Sequence, residues 1–109
     1  MLLRRSGSTT VEEITNDHLP LGIDAGEQFT SAEAALHPGD TLLILTDGLL
    51  EVQSAAGVQL GFEALKRTFA ATQESSLEVI GRALLSTART HGTPLDDQSI
   101  LLLRRSPLP

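Results

Sequence analysis

Thr41-Leu-Leu-Ile-Leu-Thr-Asp-Gly-Leu-Leu-Glu-Val52 opens as a near-continuous apolar run and breaks on Thr46-Asp47-Gly48. A short run of Leu and Ile without alternation predicts a strand over 41–46 that is buried on both faces. Its start is set by His37-Pro-Gly-Asp40, where Pro presets one turn angle and Gly supplies the positive φ that follows. Its end raises a question. Asp-Gly is a common turn pair, but a carboxylate at the rim of a sheet can also be held there for chemistry.

Working outward, Asp96-Asp-Gln-Ser-Ile-Leu-Leu-Leu-Arg104 reads as a last buried strand that starts on a pair of aspartates. Upstream, Leu2–Arg5 and Val11–Ile14 bracket Ser6-Gly-Ser8 and predict a hairpin. Leu19-Pro-Leu-Gly-Ile23 is a bend, and Gln28–Ala34 gives a weak strand signal. After Gly57 the period changes. Phe62, Leu65 and Phe69 fall at i, i+3 and i+7, which predicts a helix just after Gly61. A second helix opens at Ser75-Ser-Leu-Glu78, a Ser-x-x-Glu capping box with Ser75 as the cap. Its apolar face is Leu77, Ile80, Leu84 and Ala88, and it ends at His91-Gly92. Strands, then two helices, then a strand make an α+β pattern.

The chain has 109 residues, 40% of them hydrophobic, which allows one domain with a core. Phe29, Phe62 and Phe69 are its only aromatic residues, so the core must be aliphatic. A net charge of −6 argues against nucleic acid as a partner. Arg4-Arg5 and Arg104-Arg105 read as solvated ends of apolar strands, and Glu12-Glu13 as a solvated face. There is no cysteine, which excludes disulfides and thiolate metal sites. No apolar run approaches the about 18 residues of a membrane span, and Met1–Arg5 lacks the apolar run of a secretory signal. The expectation is a cytoplasmic protein with no membrane partner.

If the strands ending at Asp47 and beginning at Asp96 lie side by side and antiparallel, their carboxylates meet at one edge of the sheet. Two carboxylates about 5 Å apart, at an effective dielectric near 20, repel by roughly 3 kcal/mol. That is a large cost for a domain stable by ~5–15 kcal/mol. A hard divalent cation such as Mg²⁺, Mn²⁺ or Ca²⁺ reverses the sign. The bland alternative makes Asp47 a turn residue and Asp96 a loop residue that never meet. His18, His37 and His91 fall beside turns and helix ends, where solvated or capping roles suit them.

The stretch Leu36-His-Pro-Gly-Asp-Thr-Leu-Leu-Ile-Leu-Thr-Asp-Gly-Leu-Leu-Glu51 resembles the segment L-x-P-G-D-x-L-L-L-Y-T-D-G-x-x-E of the SpoIIE-type serine phosphatases, members of the protein phosphatase 2C superfamily. Leu19-Pro-Leu-Gly-Ile23 resembles their PLG turn, and Leu60-Gly-Phe62 with the helix after it their fG-x-e-r-L segment. Asp96-Asp-Gln-Ser-Ile-Leu-Leu-Leu103 resembles their closing DD-x-T-x-L-v strand. Thr-Asp-Gly alone is a weak signal, whereas these segments in order and at this spacing are a strong one.

The resemblance implies a partial protein phosphatase 2C-like antiparallel β-sandwich with two helices packed on one side. It also implies metal-dependent hydrolysis of phosphoserine or phosphothreonine by a water activated between two Mn²⁺ or Mg²⁺ ions. Carried over by motif, Asp47 and Asp96 would be metal ligands, with Asp97 in support and Gly48 permitting a sharp turn after the ligand. Thr46 and Glu51 would make local hydrogen bonds. The implied partner is a phosphorylated regulatory protein, such as an anti-sigma-factor antagonist.

The family's upstream D-x-x-G-H-G and N-A-G-H-P-P segments do not occur in this sequence. Residues 1–109 therefore read as the C-terminal portion of such a domain, with the upstream half absent. From two carboxylates alone the expectation is weak metal binding, on the order of millimolar, and little or no activity. Exposed strand edges and one apolar sheet face lead to a further expectation, a homodimer. The rival reading is a catalytically silent remnant that binds a partner. Haloacid dehalogenases are similar only in Asp-Gly, because Leu45 stands where their nucleophile belongs.

Overall fold

Leu43, at the centre of the apolar run, is fully buried and pairs with Leu2 on one side and Leu102 on the other. The computed structural model describes residues 1–15 and 18–106. Around Leu43 it builds a four-stranded antiparallel sheet from β1 (Leu2–Arg4), β2 (Val11–Glu13), β3 (Thr41–Leu45) and β4 (Ile100–Arg104). The spatial order is β2-β1-β3-β4. Between β3 and β4 the chain forms the short helix α1 (Asp47–Leu50) and two longer ones, α2 (Gly61–Ala71) and α3 (Leu77–His91). The α+β class, the expected hairpin and the two longer helices on one side of the sheet are all present.

Alternation along the strands decides which side is covered. Leu2 and Leu43 face the helices and close a core with Leu49, Leu65, Phe69, Ile80 and Leu84, all fully buried. Burial of each such side chain contributes about 1.5–3 kcal/mol relative to exposure. On the opposite face Leu3 is buried beneath the 32–36 segment, above a cavity of about 160 Å³. Farther along that face Ile44, Leu101 and Leu103 are 38%, 59% and 53% exposed. The expected burial of β3 on both faces, and of β4 as a buried strand, is thus corrected: one face packs on helices and the other is open toward β4.

Three local expectations also change. The 28–34 segment forms no strand; its alternation is poor, and a single backbone ladder cannot form without a neighbour. The cap of α3 is Ser76, not Ser75, and its hydroxyl accepts from the Val79 N–H at 3.3 Å. Both serines precede the apolar face, but Ser76 is the one that adjoins the first helical residue, with extended backbone and its carbonyl accepting the first helical bond from Ile80. Arg4 is not a solvated strand end. It is 2% exposed, stacks over the Phe69 ring at 4.6 Å, and donates to the carbonyls of Phe69 and Gln73. A guanidinium is thereby placed at the C-terminal end of α2, where positive charge is favoured.

Candidate metal centre

Thr46 and Ser99 tie β3 to the segment entering β4. The Thr46 N–H donates to the Ser99 carbonyl at 3.1 Å, and the Ser99 N–H donates to Thr46 Oγ1 at 3.0 Å. Continuing that antiparallel register places Gly48 beside Asp97. A Cβ on Gly48 would lie 2.0 Å from the Asp97 carbonyl oxygen and 3.4 Å from that of Asp96. The Gln98 side-chain amide donates to the Gly48 carbonyl at 3.2 Å. The Thr46–Gly48 and Asp96–Ser99 segments therefore meet at one end of the sheet, as side-by-side strands require.

Gly48 is needed for a reason other than a sharp turn. Asp47 and Gly48 are the first residues of α1, and Gly48 is buried with ordinary negative φ. What excludes a side chain is the Asp97 backbone pressed against it. Asp47, Asp96 and Asp97 themselves are exposed. The Asp97 N–H donates to Asp96 Oδ1 at 2.7 Å, which fixes one oxygen of that carboxylate and leaves the other outside the bond. Asp96 and Asp97 lie in the connection before β4 and not within the strand, because β4 begins at Ile100.

Carboxylate oxygens suit a hard divalent ion in kind. Among the described residues, however, no group of three or more His, Asp or Glu side chains is placed to hold a metal. Asp47 and Asp96 are both exposed to water, on segments that meet at the Gly48–Asp97 approach.

The opposite end of the sheet carries a charged network where the sequence predicts a plain turn. Asp40, 2% exposed, follows the His37–Asp40 turn in which Gly39 has φ 85°. Its carboxylate accepts from Arg5 Nη1 and from the His37 and Ser6 backbone N–H groups, each at 2.8 Å. Burial alone would raise the Asp40 pKa. The bond from Arg5, the two backbone N–H groups and the charge of Arg5 outweigh it and hold the carboxyl below its ordinary range. The available signal was position: Asp40 follows Pro-Gly immediately, in a chain whose hairpin carries Arg5.

The histidines keep to structural roles. His18 lies 3.1 Å from Glu27 and 3.0 Å from Thr30, and His91 ends α3 with Nε2 2.7 Å from the Val58 carbonyl. Glu13 is not purely solvated, since it pairs with Lys66 at 2.8 Å. No helix among the described residues is long and apolar enough to cross a membrane.

The model of the family described as Stage II sporulation protein E (SpoIIE) matches residues 1–106. No curated protein and no solved structure matches the chain.

Proposed function

The chain belongs to the stage II sporulation protein E family, and from that membership we propose that it supplies the Asp47–Asp96 part of a metal-dependent phosphoserine/phosphothreonine phosphatase centre. The observation that carries the reading is the close approach of Gly48 to the Asp96-Asp97 backbone. It supports a common site for two carboxylates that would otherwise only repel.

In this reading Asp47 and Asp96 hold Mn²⁺ or Mg²⁺. When bound, such an ion acidifies its water and neutralises charge on phosphoryl oxygens. The protein's own contribution is placement. The Thr46–Ser99 pair fixes where β3 ends, and Gln98 holds the first turn of α1 through the Gly48 carbonyl. Asp97 supports Asp96 through its backbone N–H, a fixing of ligand orientation of the sort that metal sites depend on. The substrate is a phosphoserine or phosphothreonine on a regulatory protein, the class that the family resemblance implies.

Calorimetric titration with Mn²⁺ tests this directly. Saturable binding that Asp47→Asn and Asp96→Asn each abolish supports the assignment. Binding that survives both substitutions would sink it.

A further inference from the structure

We propose that two copies of this chain join through the outer edge of β4, and that Arg105 of each copy pairs with Asp97 of the other. β4 stands last in the sheet order, so its outer edge has no neighbouring strand. Its extended course runs past the strand at both ends. Thr46 and Ser99 hold one end. At the other, the Arg105 N–H donates to the Asp40 carbonyl at 3.1 Å, and the Arg105 carbonyl accepts from the Gly39 N–H at 2.8 Å. Residues 99–105 are therefore held extended along β3.

Those bonds limit the register open to a second copy. Ser99, Leu101, Leu103 and Arg105 turn their backbone groups toward β3, so Ile100, Leu102 and Arg104 offer theirs outward. A two-fold axis through Leu102 engages all three, with Leu102 opposite itself and Ile100 opposite Arg104. Shifting the axis by one residue leaves Arg104 or Ile100 opposite a residue outside the strand. The rest follows by counting. Leu101 faces Leu103, and Ser99 faces Arg105, in pairs whose Cα atoms lie about 4.5 Å apart. Asp97, two residues before Ser99, becomes the diagonal neighbour of Arg105 of the other copy. Such neighbours lie roughly 7–8 Å apart, within reach of a long side chain.

Charge selects a second copy as the occupant. Asp47, Asp96 and Asp97 are exposed at one end of this edge, and among the described residues none of them pairs with a Lys, Arg or His. Arg105 is exposed at the other end. Its Nη1 donates to the Leu36 carbonyl at 2.8 Å, and among the described residues no carboxylate pairs with it. The edge thus has an acidic end and a cationic end, and the two-fold sets each against its opposite, twice. A strand of uniformly basic or uniformly acidic composition would satisfy one end and be repelled by the other. Between the ends, Leu101 and Leu103, 59% and 53% exposed, cover one another in the same step.

The test is a charge exchange, read by sedimentation velocity of the whole 109-residue chain. Arg105→Asp alone sets two carboxylates against each other at both ends of the dimer, and Asp97→Arg alone sets two guanidinium groups there. Each should weaken the dimer by about tenfold, the effect of two symmetric contacts of modest strength. Both side chains are exposed, so both variants should melt at the wild-type temperature. An equimolar mixture of the two should regain wild-type affinity, because the mixed dimer carries one carboxylate and one guanidinium at each end. A wild-type chain that stays monomeric, single variants that dimerise as well as the parent, or a mixture as weak as its components would each overturn the proposal. None of these outcomes depends on the Asp47–Asp96 metal assignment.

Discussion

Gly48 and Asp97 stand so close that a single added carbon on Gly48 would overlap the Asp97 carbonyl oxygen at 2.0 Å. Two chain segments nearly fifty residues apart are thereby pressed together beside both candidate ligands. Gly48→Ala must push them apart, because the clash is with backbone and not with a mobile side-chain tip. Overpacking of this kind costs about 1–3 kcal/mol. Urea denaturation should show that loss, and Mn²⁺ affinity should fall with it. An alanine variant with wild-type stability and metal affinity would show that the approach is not needed.

Asp47→Asn and Asp96→Asn should behave in the opposite way. Both carboxylates are exposed, and substitutions at such positions change stability by about 0.5 kcal/mol or less. Removing one of two neighbouring negative charges also lessens repulsion. Metal affinity should disappear while the urea midpoint stays or rises slightly. A large loss of stability in either variant would assign these aspartates to the fold and not to a ligand.

Asp40 gives a pH signature. Its folded pKa is depressed, so the ionised carboxylate stabilises the folded state at all pH values above the ordinary carboxylate range, about 4. That contribution is lost as pH falls through the lower folded value. Asp40→Asn should therefore be less stable than the wild type at pH 7, by about 1–3 kcal/mol for a buried charged acceptor. The gap should narrow steadily below about pH 4. Thermal melts of both proteins across that window provide the check; a gap independent of pH would place the effect in packing instead.

Much of this architecture was legible because its signals are local. The Pro-Gly turn before β3, the i, i+3, i+7 stripe of α2 and the apolar face of α3 each depend on neighbours within a few residues. The meeting of Thr46–Gly48 with Asp96–Ser99 was legible only through an assumption about strand pairing, which the β3–β4 register satisfies. What escaped was long-range. Arg4 reads as a surface cation in any window of sequence, and its burial depends on Phe69 and Gln73, more than sixty residues away. Asp40 reads as a turn residue until Arg5 folds over it. Single-sided burial of β4 was equally hidden, since Leu101 and Leu103 look no different from Leu102.

The buried role of Arg4 is testable in its own right. Arg4→Met keeps an apolar stem over Phe69 but removes the donors to the Phe69 and Gln73 carbonyls. Thr72 still donates to the Phe69 carbonyl through its N–H and its hydroxyl, so the Gln73 carbonyl is the acceptor that loses its donor, and the protein should be destabilised by about 1–3 kcal/mol. Arg4→Lys should recover only part of that, because an ammonium cannot reproduce the planar, two-sided contact. Hydrogen exchange should quicken first at the C-terminal turn of α2. Full recovery by lysine would mean that charge alone, and not geometry, fastens this helix.

The outer edge of β4 supports the last expectation, self-association. Thr46 bonds to Ser99 and the Arg105 N–H bonds to the Asp40 carbonyl, so alternation points the backbone groups of Leu101 and Leu103 toward β3. Those of Ile100, Leu102 and Arg104 point toward the free edge. The edge carries neither Lys nor Pro within the strand, the usual guards against pairing. A second copy, related by a two-fold axis through Leu102, would set Leu101 opposite Leu103 on both sides and Ile100 opposite Arg104. No like charges then face each other, and two leucines that are 59% and 53% exposed gain apolar neighbours. Sedimentation velocity should show a concentration-dependent dimer, and Leu101→Lys, which sets a charge on that face, should return it to monomer. A wild-type chain that stays monomeric at every concentration, or a lysine variant that dimerises as well as the parent, would remove β4 as the interface.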